Sequence, residues 1–411
     1  MPRTRAANPI PHFLILLAAG VVAAACATSR EAESARDDGR WNDTGLLARV
    51  AEIGDEESDY DALASVARFE ELQRAIEEVK QMVLHEARSE TEALEGLRMV
   101  WKHLAVATRD AVQTDLRNPL FAKRDPRERD IGAYNPDAEY DQAWIDGRYD
   151  YVLTGHVGTV PYLSITVNAT AADRRTRAVA YLDDAAIRAH TGADGRFTLW
   201  LTKQRPAADT CPQAPCAWVE LPDDANGVVI RQYVADRARD ELARFAIQAT
   251  GDRLPPVAPL RDDDLAARLG YASAYLVVSS TWHRTLLPQT RERPNEFVAS
   301  TGSAIGASAA NLENAYQMAY WELGPGEALV IDVVPPRTVF WNLTSATFWH
   351  ESQRHLTDPV SLTSSEIVAR ADGTVRFVLA ERDPGAPNWL ATLGHERGFL
   401  LLRMVGVAAH P

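Results

Sequence analysis

Asp372–Arg403 reads DGTVRFVLAERDPGAPNWLATLGHERGFLLLR, and its punctuation decides the fold. Asp372-Gly373 is a hairpin-type turn. In the run behind it Val375, Phe377 and Leu379 alternate with Thr374, Arg376 and Val378, which predicts a strand with mostly apolar residues on both faces, hence a buried one. Asp383-Pro384-Gly385 stops that strand, because proline fixes its own φ and glycine supplies the positive φ of a tight turn. Asn388-Trp389 follows, then a loop through Gly394-His395, then Phe399 to Val405 as a last strand. Strands joined by ordered loops predict a β-sandwich. They name no reaction.

The same pattern occurs upstream. Asp194-Gly195 precedes Arg196–Leu201, a strand of the same character, and Trp218 opens a segment that ends in an apolar run and Arg231. Downstream, Trp389 opens the segment that ends in Arg403. The Trp-to-Arg spacing is 13 in the first copy and 14 in the second. Each copy also follows a strand pair, Tyr149–Asn168 in one and Ala328–Leu343 in the other. Features recurring in one order predict one supersecondary unit used twice. Trp218 should then fall on Trp389 and Arg231 on Arg403, with the extra residue in the loop at Gly394-His395.

At the start of the chain Arg3 and Arg5 precede an apolar run, Phe13–Ala25. That run is shorter than the about 20 residues a bilayer span needs, and fits the h-region of a secretory signal. Its end, Ala23-Ala24-Ala25-Cys26, has the small residues and cysteine of a bacterial lipobox. Residues 1–25 are therefore expected to be a signal peptide, Cys26 the lipidated residue, and 26–45 a polar tether to the envelope membrane, facing the periplasm or exterior. Loss of residues 1–25 removes two arginines and no acids, so the formal charge moves from −14 to −16. An acidic body disfavours nucleic acid and anionic membrane surfaces as partners. Of the three cysteines, Cys211 and Cys216 bracket a short proline loop, and in an oxidising compartment they are expected to form a disulfide.

Between these landmarks, Phe69, Leu72, Ile76, Val79 and Val83 recur at helical spacing. Ser89 with Glu92 makes a capping box for a second helix carrying Leu94, Leu97, Trp101 and Leu104. Residues 46–134 are thus read as a helical hairpin region and 135–231 as the first β module, opening with a hairpin about Gly155 and Gly158. Residues 232–290 are read as two bracing helices, one through Val234, Leu242, Phe245 and Ala249, the other from Asp262 through Leu276 to His283. The second β module covers 291–411. The fold class expected is α+β: two related antiparallel β-sandwich, jelly-roll-like modules with an N-terminal helical hairpin and central bracing helices.

Several segments together resemble bacterial proteins carrying a domain of unknown function 1214. They are Tyr151-x-Leu153-x-Gly155, Gly158-x-x-x-Tyr162-Leu-Ser, Asn311–Trp321, Glu327–Ile331, Pro335-Pro336, Trp341-Asn342, Asp383-Pro-Gly385, Asn388-Trp389-Leu390 and Gly394-His395. The resemblance extends from about residue 140 to the C-terminus. It implies antiparallel β-sandwich or jelly-roll modules and transfers no catalytic residues.

Chemistry has few places to attach. His350-Glu351 with His355 is the densest set of ligand types, but the second histidine comes five residues after the first, so the zincin spacing is absent. No metal or cofactor is expected. Catalytic candidates are His350, Glu351, Asp383 and His395. Ligand-binding candidates are Trp349, Asn388, Trp389 and Arg403. Arg231 and Arg403 either anchor anionic ligands at the sandwich ends or bond carboxylates between modules, and the tryptophans either fill cores or present platforms to sugar faces. No nucleophile elbow, Walker loop or dinucleotide fingerprint occurs. The expected function is an envelope lipoprotein binding an extracytoplasmic small molecule or glycan without catalysis. Its rivals are a periplasmic enzyme on a carbohydrate or lipid-like substrate and an envelope scaffold.

Overall fold

In the computed structural model the described residues are 58–112, 115–123, 132, 134–171, 176–207, 216–252, 254–256, 259–302 and 312–406. Cys26, Cys211 and Asn311 lie outside them. The chain runs through helices α1 (Ala64–Glu86) and α2 (Glu90–Val112) into β1 (Ala122–Lys123), β2 (Ala138–Trp144), β3 (Asp150–His156), β4 (Tyr162–Thr170) and β5 (Thr176–Leu182). Then come α3 (Asp184–Ala189), β6 (Arg196–Thr202), β7 (Ala217–Glu220), β8 (Gly227–Tyr233), β9 (Arg244–Thr250), α4 (Asp262–Ser280) and α5 (Trp282–Thr285). The remaining strands are β10 (Val298–Thr301), β11 (Asn314–Glu322), β12 (Ala328–Val333), β13 (Phe340–Thr347), β14 (Ser361–Thr363), β15 (Val375–Ala380), β16 (Trp389–Ala391) and β17 (Arg397–Val405).

One plan is used twice. A five-stranded sheet ordered β1-β2-β8-β4-β5 packs on a four-stranded sheet, β7-β6-β3-β9, and Leu153, Leu163, Ile165, Leu199 and Ile230 fill the space between. The second sandwich pairs β10-β11-β17-β13-β14 with β12-β15-β16 around Leu343, Phe377, Leu379, Leu400 and Leu402. The order matches strand for strand; β9 alone has no counterpart among the described residues. In both copies the short tryptophan strand runs parallel to its neighbour, with Trp218 opposite Trp200 and Trp389 opposite Val378. Each indole N–H then finds an acceptor two residues further along the neighbouring strand, Thr202 Oγ1 and Ala380 O, both at 3.0 Å. Tyr140, Arg231 and Ser164 form one cross-strand row, and Tyr316, Arg403 and Asn342 form the matching one. The extra residue of the second copy falls between Ala391 and Phe399, where Leu393 and Gly394 both take positive φ.

The two five-stranded sheets face each other through the sides that point away from their own cores. Tyr162 and Tyr233 pack there on Phe340 and Val405, with the Tyr233 and Phe340 rings 5.1 Å apart. Reciprocal carboxylates tie the modules. Asp137 accepts from Asn342 (2.7 Å) and Ser361 (2.6 Å), and Glu313, at the equivalent place before β11, accepts from Tyr162. Helices α1, α2 and α4 cover one end, where Val83, Met99 and Leu276 pack on Met318, Tyr320, Phe348, Trp349, Phe399 and Leu401.

Three expectations need correction. Residues 149–168 are no hairpin: β3 pairs with β6 and β9, β4 with β5 and β8, and the chain crosses from one sheet to the other at Gly158. That glycine has φ +61°, and any Cβ there would overlap the Glu241 carbonyl. The segment through Val234 and Ala249 is a turn followed by strand β9, not a helix. Asp240 accepts from the N–H groups of Ala235 and Asp236, and Asp236 from that of Ala238, so local side-chain bonds displace helical ones. Among the described residues of 232–290, only α4 and the short α5 are α-helical. Finally, the apolar stripe read along the hairpin is only partly buried: Phe69, Leu94 and Trp101 are exposed. The α2 seam is instead centred on Gly96, Met99, Val100 and His103, because Gly96 lets the helix approach Trp349, where a Cβ would stand 2.9 Å from the indole.

Candidate functional site

Alternation along two central strands sets up the polar centre of the molecule. On β17, Leu400, Leu402 and Met404 turn into the sandwich core while Phe399, Leu401, Arg403 and Val405 face the other way. On β8, Val228 and Ile230 turn inward and Arg231 and Tyr233 outward. Burying an arginine is costly unless something compensates its charge, and here two are buried, at 7% and 3% exposure, in matching rows of facing sheets. Arg231 donates to Thr166 Oγ1 at 3.3 Å and Arg403 to Thr344 Oγ1 at 3.2 Å. The cross-strand tyrosines accompany them. Tyr140 OH accepts from the Asn135 N–H (3.1 Å), and Tyr316 OH accepts from Asn314 Nδ2 (2.8 Å). Burial raises both phenols above their ordinary range, opposed by the charges of Arg231 and Arg403, which reach each ring.

His350 lies toward the helix side of the same sheet face, on Phe399. It sits at φ 60°, a strained place for a non-glycine residue, on the turn behind β13. Its ring stacks on Phe399 with centroids 3.9 Å apart. The residue is 1% exposed, and neither ring nitrogen has a hydrogen-bond partner. Burial, with the nearby His283 and Arg403, holds its pKa well below the ordinary value, so the ring is neutral. Asn342 Oδ1 and Asn135 Nδ2, buried in the same interface, also lack partners. Unmatched buried polar atoms are costly unless water or another polar group reaches them.

The other residues singled out from sequence are not brought together. Glu351 is buried beneath Lys102 (3.1 Å), Arg98 (3.4 Å) and Gln353 (3.0 Å), which makes it a structural counterion. The Trp349 indole donates to Glu92 O at 2.8 Å and is part of the helix-packing cluster. Asn388 pins a loop by accepting from the Val368 N–H and donating to Val368 O and Arg376 O. Asp383 is exposed and caps its own turn through the Gly385 N–H at 2.7 Å. Trp389 belongs to the three-stranded sheet, on the far side of the core from His350, so the two line no common cavity. Among the described residues no three His, Cys, Asp or Glu side chains converge as a metal site.

His395 stands apart, in the turn before β17. Its Nε2 lies 2.8 Å from Glu95 Oε2 and its Nδ1 2.7 Å from Thr392 O. Burial pulls its pKa down, but the Glu95 hydrogen bond and charge more than offset that, and the net shift is upward. It lines an open pocket of about 740 Å³ with the buried Glu92–Arg397 pair, whose guanidinium also lies 3.7 Å over the Phe348 ring. This pair and the His395–Glu95 pair fasten α2 to the second module. Sequence reading missed Tyr140, Tyr316, Asn342 and Thr344; the signal that marks them is their place opposite Arg231 and Arg403 in a duplicated register.

A crystal structure of an uncharacterized protein from Burkholderia cenocepacia is similar to this chain, with TM-score 0.75 and 26% identity over 84% of this chain and 94% of that one. A protein from Vibrio parahaemolyticus aligns at TM-score 0.45 and 11% identity over 75% of this chain and 92% of that one. No curated protein matches the chain. Residues 328–408, from the start of β12 past the end of β17, match the profile of the family described as protein of unknown function (DUF1214), and Asn342, His350 and Arg403 lie within the matched residues.

Proposed function

We propose that the protein is an envelope lipoprotein that holds an extracytoplasmic small molecule or glycan, unchanged, between its two modules. The observation that supports this reading is His350: a neutral imidazole, 1% exposed, with both nitrogens unpartnered among the described residues, within reach of the charge of buried Arg403. An unmatched buried polar group costs roughly 1–3 kcal/mol. A guest that supplies one acceptor and one donor removes that cost on binding. The lipid at Cys26 keeps the chamber at the membrane, and the Cys211–Cys216 disulfide fits the same oxidising compartment.

The test is recovery of the guest. Full-length protein is extracted from the envelope in mild detergent and examined by native mass spectrometry, then denatured to release the bound compound. The expected result is one small compound per chain, of unchanged mass after re-incubation with fresh protein, and lost from His350→Asn. Conversion of the compound favours an enzyme. A second protein in place of a small compound favours a scaffold.

A further inference from the structure

We infer that the guest carries an oxyanion, a carboxylate or a phosphate, and that Arg231 and Arg403 hold it from opposite modules. This deepens the reading just given and rests on the same chamber. The first support is charge. Two guanidiniums are buried in matching rows of facing sheets, and Arg231 has no ion-pair partner among the described residues, only the long bond to Thr166. The carboxylates nearest the interface are already engaged by neutral donors of the other module, Asp137 by Asn342 and Ser361 and Glu313 by Tyr162. A buried cation without a counterion is costly, and a bound anion supplies one.

The second support is the donor set. A guanidinium presents a planar fork that matches a carboxylate or phosphate. Tyr140 and Tyr316 each accept one hydrogen bond at the hydroxyl and retain a proton to give. Tyr140 neighbours Arg231 and Tyr316 neighbours Arg403 in the cross-strand rows, and both arginine charges reach each phenol. Neutral His350, at the helix end, offers a donor and an acceptor suited to a hydroxyl on the rest of the guest. The class that fits is a hydroxylated acid such as a sugar acid, or a compact phosphate. Its oxyanion bridges the two modules.

Calorimetric titration of the full-length protein in detergent, at fixed ionic strength, tests this with galacturonate, citrate and inorganic phosphate, and with galactose as the neutral twin of galacturonate. At least one anion is expected to bind saturably at one site, and galactose at least tenfold more weakly than galacturonate. Arg231→Met is expected to weaken the anion roughly 10- to 100-fold, the loss of one charge-assisted contact. Arg231→Lys, which keeps the charge but not the fork and spares the fold, should lose less. Phosphate binding without galacturonate binding assigns the anion as phosphoryl, and the converse as carboxylate. The inference is overturned if galactose binds as tightly as galacturonate, if no anion binds at millimolar concentration, or if Arg231→Met leaves anion affinity unchanged. In that last case, loss of binding in His350→Asn keeps the chamber and removes only the anion, whereas retention in both variants removes the chamber as well.

Discussion

His350 combines three costs in one residue: a positive φ, burial of an imidazole, and two unpartnered nitrogens. Its folded pKa is depressed by burial first and then by His283 and Arg403. The unfolded chain takes up a proton near the ordinary value of about 6.5 while the folded chain does not, so stability is complete above that value and is lost as pH falls below it. His350→Asn removes the titration and tolerates the left-handed backbone. Urea unfolding at pH 7.5 and 5.5 is expected to show that the wild type loses about 1 kcal/mol more than the variant between the two. Equal losses would mean that the ring is accessible to protons in the folded state. The opposite sign holds at His395, whose pKa is raised: its contribution is complete below the ordinary value and fades as pH rises through the folded one.

Helix α2 is seated by what it lacks. A Cβ on Gly96 would stand 2.5 Å from Val83 Cγ1 and 2.9 Å from the Trp349 indole. Alanine at an ordinary helix position gains about 1 kcal/mol over glycine, but overpacking costs about 1–3 kcal/mol and here meets two buried partners. Gly96→Ala is expected to lower stability by roughly 1–2 kcal/mol in urea melts; a stabilised variant would show that α2 seats elsewhere. Period-two alternation made β15 and β17 legible in the sequence, and the Asp-Gly turns fixed where the repeated unit begins, so the duplicated register of Trp218 with Trp389 and Arg231 with Arg403 was readable before any coordinates. The β9 segment was not, because Phe245, Ile247 and Ala249 sit in an apolar stretch that suits either period. The site was half legible. Arg403 and His350 stood out as residue types, but Tyr140 meets Arg231 and Tyr316 meets Arg403 only through the pairing of strands distant in sequence, and Asp383, Asn388 and Trp389 drew notice for conspicuous turn chemistry that proved local.

On the scale of the whole molecule, a duplicated sandwich places two copies of one arginine in facing rows at its centre, within a chain of formal charge −14. Sandwich cores handle stability, which leaves the intermodule face to polar groups that a sandwich interior would reject. The proposed anchoring rests on the N-terminal sequence alone. Cys26→Ser is expected to move the protein from the membrane fraction to the soluble envelope fraction without changing its melting temperature; unchanged lipid labelling would refute acylation there. The central claim, a guest held between the modules, is tested most directly by a crystal structure of the protein purified with its envelope-derived compound. The account predicts density for a small anion in contact with both Arg231 and Arg403 and within hydrogen-bond reach of His350. Density for the compound elsewhere, such as the groove of about 900 Å³ between α1 and α4, with the two arginines bonded only to protein and water, would contradict it.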